Sequence, residues 1–125
     1  MIRNAANVMG IVVITCLLPS IACAQNAPPS YEADASVYKV VFEDQNFRII
    51  AGTWKPGQTD KSHSHLSAAV AYNLTDCSLK LVSADGKVVN LNNKAGTANT
   101  VGITPSHTAT NVGPAECRVL LVERK

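Results

Sequence analysis

The sequence predicts a single all-β domain, a sandwich or barrel of short strands, on three observations. β-branched and aromatic runs recur at short, even intervals from Val37 to Glu123, turn-forming pairs separate them, and no stretch holds a helical period. Composition agrees. A charged fraction of 16% argues against a disordered or coiled-coil chain, and with Gly 7 and Pro 6 there is no collagen-like bias. Lys+Arg 11 against Asp+Glu 9 leaves +2, too near neutral for electrostatic capture of nucleic acid.

The first 24 residues read as an export signal: Arg3 gives the positive start, Val8 to Leu18 the apolar stretch, and Ala22-Cys23-Ala24 the small-x-small ending. Cleavage after Ala24 would leave Gln25 to Lys125, in the periplasm or outside the cell. The apolar run is shorter than the roughly 20 residues a membrane-spanning helix needs and meets Pro19, so stable membrane insertion is not expected. Acylation of Cys23 is a second reading, against which Ser20 stands where a bulky aliphatic is usual. Signal removal leaves two cysteines, Cys77 and Cys117, to form either a bridge or a pair of buried thiols.

From Gln25 to Ser36 the chain is rich in Ala, Pro and Ser, with Pro28-Pro29 opposing regular pairing, and reads as an extended lead-in; the domain proper would run from Val37 to Lys125. Strands are predicted at Val37 to Phe42, Phe47 to Trp54, Ala68 to Leu74, Leu79 to Val82, Val88 to Leu91, Val101 to Ile103, His107 to Val112 and Arg118 to Glu123. Asp44-Gln45-Asn46, Pro56-Gly57, Thr75-Asp76, Asp85-Gly86, Asn92-Asn93 and Gly113-Pro114 punctuate them. Asp85-Gly86 is the clearest hairpin signal, because a tight turn needs the positive φ that this pair tolerates.

The chemistry lies with the histidines. His63-Ser64-His65 puts two imidazoles at i and i+2, on one face of an extended strand, which is a chelating arrangement. His107, far along the chain at another strand start, could complete one face of a metal coordination sphere. Taken alone, the pair could equally be two solvated surface histidines.

The surrounding residues resemble the two motifs of the cupin superfamily. The first motif is Gly, five residues, His-x-His, three or four residues, Glu, six residues and Gly, and here Gly57 stands five residues before His63-Ser64-His65. In the second, Gly96, His107 and Asn111 keep the spacing of its Gly, His and Asn. Six positions in register over Val37 to Lys125 carry the resemblance, and it implies a small single-domain cupin, a jelly-roll β-sandwich or barrel.

The departures carry consequences. The first-motif Glu falls on Ala69 or Val70, neither of which can ligate, its closing Gly is Asp76, and the second motif's Pro and Gly are Gly102 and Thr104. Three neutral imidazoles would leave a divalent ion its full +2, favouring an anionic bidentate ligand such as an enolate, a thiolate-carboxylate or a diol. The ligand set is similar to that of three-histidine cupins such as the thiol and β-diketone dioxygenases, which use iron(II). Zinc with a bound water, or manganese, nickel or copper, fits the same set.

Other residues are weaker signals. Asn111, four residues past His107, would orient a ligand or pair with a strand end; Tyr72 and Trp54 would line a pocket mouth or the core; Arg48 reads as an outward, solvated side chain. No carboxylate near the histidines is an evident general base. Asn73-Leu74-Thr75 matches a glycosylation triplet inside a predicted strand. Two functions are expected from the resemblance: a small metalloenzyme (oxygenase, isomerase or lyase) acting on a small oxygenated metabolite, or a non-catalytic cupin binding a metal or small ligand. A homodimer is expected through the apolar strand Val37 to Phe42 as an exposed edge. Cupin topology would also lay Ala68 to Leu74 antiparallel to Arg118 to Glu123, bringing Cys77 and Cys117 together as a disulfide.

Overall fold

The computed structural model describes residues 25–125, so the expected signal over 1–24, with Cys23, lies outside the described residues. Strands β1 (Tyr38–Glu43), β2 (Phe47–Trp54), β3 (His63–His65), β4 (Ala69–Asn73), β5 (Cys77–Ser83), β6 (Val88–Asn93), β7 (Ala98–Val101), β8 (Thr104–Asn111) and β9 (Cys117–Arg124) follow a single helical turn, α1 (Ser30–Ala33). They form two sheets, one ordered β1-β2-β9-β4-β7 and the other β3-β8-β5-β6, with antiparallel pairing throughout.

Alternation along the strands decides which side chains lie between the sheets. In β9, Cys117, Val119, Leu121 and Glu123 are buried while their neighbours face out, and in β4 the buried set is Ala69, Ala71 and Asn73. Ile50, Trp54, Leu79 and Ala109 complete the core. Apolar residues filling both inner faces drive the sheets together. Ala69 to Asn73 pairs with Glu123 to Val119, the antiparallel arrangement expected of these two strands. Cys77 opens β5 in one sheet and Cys117 opens β9 in the other, with Cα atoms 4.9 Å apart, so their disulfide staples the two sheets. The Asp85-Gly86 hairpin joins β5 to β6; Gly86 has φ +84°, and Lys87 N–H donates to Asp85 Oδ1 at 3.0 Å.

Two expectations need correction. The strand predicted at Val101 to Ile103 is Ala98–Val101, set by pairing with β4 rather than by β-propensity, while Ile103 is 71% exposed beyond it. The lead-in is not extended throughout. After Pro28-Pro29 it turns once as α1 and lies along β3: Ser64 N–H donates to the Pro28 carbonyl at 2.9 Å, and Lys61 N–H donates to Asp34 Oδ2 at 3.1 Å. Proline at the N-cap, with φ already near the helical value, lets the turn start there. The segment thus covers what would be the open edge of the His-x-His strand.

Candidate metal centre

His63 and His107 face each other across the β3–β8 ladder, and the register slips before His65, which pairs with Thr104. Between these pairs Ser106 and Pro105 of β8 stand opposite Ser64 alone, and Pro105, which has no N–H to give to a ladder, suits such an irregularity. Its carbonyl accepts from Ala27 N–H at 3.0 Å. His63 and His65, two residues apart on β3, converge with His107. One donor atom from each of the three histidines lies within 4.8 Å of the others.

The ring of His63 is held from every side. Its Nδ1 is 3.0 Å from the Lys61 carbonyl, which can only accept, so this nitrogen carries the proton. The Nε2 lone pair therefore faces the cluster, 2.9 Å from His107 Nε2. Tyr38 Oη, 3.2 Å from the same Nε2, gives its proton to Asp60 Oδ2 at 2.7 Å. Asp60, 3% exposed, also accepts from Trp54 Nε1 at 3.1 Å and from Ala109 N–H at 2.6 Å. Burial first, and the Asp60 carboxylate second, raise the Tyr38 phenol well above its usual range, so it stays protonated. Burial lowers His63, with Asp60 opposing, and burial with the neighbouring His63 and His65 takes His107 down to about 3. His63 and His107 are thus held as neutral imidazoles, the form that ligates.

These residues fit a divalent transition metal. Metal–nitrogen bonds of about 2.0–2.1 Å put neighbouring donors roughly 3–3.4 Å apart, close to the His63–His107 separation. His65 Nδ1 is buried without a hydrogen-bond partner.

A cavity of about 70 Å3 lies between the sheets beside His65 and His107. Tyr38 and Trp54 lie beside its histidine end, Leu79, Leu81, Val119 and Leu121 form its walls, and the amides of Asn73, Asn93 and Asn99 border it further in. The pocket reading thus suits Trp54 and fails for Tyr72, which points outward from β4 and is 43% exposed. Asn111 is fully buried, its amide donating to the Trp54 and Ala115 carbonyls and accepting from Gly113 N–H, so nothing remains for a ligand. Arg48 is not outward and solvated: it lies 4.4 Å from the centre of the Tyr31 ring and pairs across the ladder with Glu123. Asn73, inside β4 and 1% exposed, gives a glycosylating enzyme no access.

Two carboxylates near the histidines escaped the sequence reading: Asp60 Oδ1 is 3.8 Å from His63 Nδ1, and Glu123 Oε1 is 3.7 Å from His65 Nδ1. Inward alternation of Val119, Leu121 and Glu123 was the available signal for the second.

No protein-family model and no curated protein sequence matches the chain. Solved structures do. A cupin domain from Bordetella pertussis superposes with a TM-score of 0.65 at 19% identity, covering 81% of this chain and 98% of that one. The chain has the cupin fold. A protein with a double-stranded β-helix domain from Klebsiella pneumoniae gives a TM-score of 0.57 at 24% identity over 70% of this chain and 75% of that one. An RmlC-like cupin from Methanocaldococcus jannaschii gives 0.58 at 15% identity over 70% and 78%. In this chain the three histidines fall where the motif resemblance put them, and the first-motif glutamate position is the buried Ala69.

Proposed function

We propose that this protein is an exported cupin that holds one divalent metal ion through His63, His65 and His107 and presents it to a small molecule. The observation carrying this reading is the fixed tautomer of His63, whose lone pair meets His107 Nε2 at 2.9 Å inside the three-histidine cluster. Such an ion would polarise an oxygen ligand or lower the pKa of bound water. Imidazole donors suit zinc, copper, nickel and iron, and manganese is not excluded by the set; outside a reducing cytosol, iron(II) is the hardest of these to keep. The small apolar cavity beside His65 and His107 supports a ligand of few atoms that reaches the ion through oxygen, as a small oxygenase, isomerase or lyase would use.

A second reading, a non-catalytic metal- or ligand-binding cupin, is favoured by Asp60. Its three hydrogen bonds leave that carboxylate no freedom to move a proton at the ion. Metal analysis of protein purified from its native compartment tests the first step: His63→Ala and His107→Ala should each lose the ion, and wild-type metal content in both refutes the site. Acetylacetonate added to the loaded protein then separates the readings, since an altered metal spectrum requires an open coordination position.

A homodimer is also proposed. β1 is an edge strand with Val41 53% and Phe42 50% exposed. On the outer face of the same sheet, Ile49, Val122 and Val70 adjoin across the ladders, as do Leu120 and Tyr72. A solution mass of one chain at micromolar concentration would refute it.

A further inference from the structure

We propose that Glu123 is the carboxylate of this metal centre, acting as a positioning residue that holds the Nδ1–H of His65 and so directs that ring's Nε2 lone pair to the ion. The inference rests on the three-histidine reading. It starts from the ladder: Ala69, where the first cupin motif has its glutamate, is the direct cross-strand partner of Glu123. Residues paired across antiparallel strands share a face, so a side chain at 123 enters the space that a side chain at 69 leaves empty. Both positions are buried, Ala69 5% and Glu123 7% exposed.

One unmet need lies there. His65 Nδ1 is buried with no partner, and Glu123 Oε1 is 3.7 Å from it, less than about an ångström of side-chain movement from an ordinary N–H···O bond. A ring nitrogen bonded to a carboxylate carries the proton, which leaves the other nitrogen as the ligand; ligating histidines are commonly fixed in this way. The Lys61 carbonyl does the same for His63. Glu123 is not among the donor atoms that converge within 4.8 Å, which places it behind His65 rather than on the ion.

The glutamate is held from its far side. Arg48 is its cross-strand partner on β2, with Nη1 3.7 Å from Glu123 Oε2, and Tyr31 of α1 covers the guanidinium. The lead-in thereby closes over the charge. Because Arg48 offsets part of the carboxylate's charge, the role left to Glu123 is chiefly to orient His65.

The test compares wild type with Glu123→Gln, which keeps shape and removes the charge, using cobalt(II) as the probe. Cobalt affinity should fall about 10–100-fold with a shifted visible spectrum, while the metal-free variant keeps its circular dichroism. The double variant Glu123→Ala with Ala69→Glu should recover affinity relative to Glu123→Ala alone. Unchanged affinity and spectrum in Glu123→Gln, with wild type binding cobalt, overturns the role of Glu123. Absence of cobalt binding in wild type overturns the three-histidine reading and the proposal with it. Metal-free protein gives an independent readout: side-chain nitrogen NMR should show His65 as the Nδ1–H tautomer, and an Nε2–H tautomer in wild type overturns the proposal.

Discussion

Asp60→Asn should destabilise the metal-free domain by about 3–5 kcal/mol, the largest effect expected of a single isosteric change here. Asp60 accepts three hydrogen bonds: Tyr38 Oη and Trp54 Nε1 on Oδ2, and Ala109 N–H on Oδ1. An amide keeps only one acceptor oxygen. Facing Tyr38 and Trp54, it turns its NH2 on the Ala109 N–H; facing Ala109, it abandons both side chains. Each bond to a charged group contributes about 1.5–3 kcal/mol, and a buried donor left without a partner costs about 1–3 kcal/mol. A domain of this size has only about 5–15 kcal/mol, so the variant would lose about a fifth of it or more. Urea unfolding with an unchanged slope measures it. Tyr38→Phe should cost about 1–1.5 kcal/mol in wild type and less in the Asp60→Asn background. A shift below about 1 kcal/mol for Asp60→Asn would refute the view that Asp60 holds the Tyr38–Trp54–β8 framework behind His63.

Unfolded, unreduced protein should show no free thiol from Cys77 or Cys117. Replacing both with alanine should lower stability by about 4 kcal/mol for a closed loop with separation 40, which reductant-dependent denaturation checks. Stability of the metal-free protein should fall as pH drops from 7 toward 4. His107, held down to about 3, stays neutral while the unfolded chain gains its proton below its ordinary 6.5, so protons favour unfolding; a flat thermal midpoint between pH 7 and 5 would contradict this. Gly52→Ala should cost about 1–3 kcal/mol, because the new Cβ would stand 2.9 Å from the Trp54 ring that Asp60 anchors; unchanged thermal unfolding would show that the ring can move.

What the sequence made legible was whatever depends on local pattern. Strand alternation, the Asp85-Gly86 turn and the His-x-His spacing all reappear, because each follows from two or three neighbouring residues. The missed features depend on partners distant in sequence. β7 is an Asn- and Thr-containing segment recruited by β4, and nothing in Ala98 to Thr100 marks a strand without that partner. Arg48 reads as solvated until Tyr31 and Glu123 are seen around it, and Asp60 reads as loop acid until Tyr38 and Trp54 are seen to need it. Tyr72 was placed toward the pocket without a rule for its face; its buried neighbours Ala71 and Asn73 fix it outward.

The absence of a glutamate from a linear motif is therefore weak grounds for the absence of its charge from a β-barrel site. A motif records position along one strand, whereas the chemistry depends on position in space. In an antiparallel sheet each inward position has a partner on the next strand whose side chain enters the same volume. Exchange of a carboxylate between partners such as 69 and 123 would keep it beside the centre while erasing the motif. It does alter what the carboxylate can do. On the ion it occupies a coordination position; behind His65 it leaves that position to a ligand. Three converging histidines and an adjoining small apolar cavity are the features that the proposed capture of an oxygen-donor molecule would use.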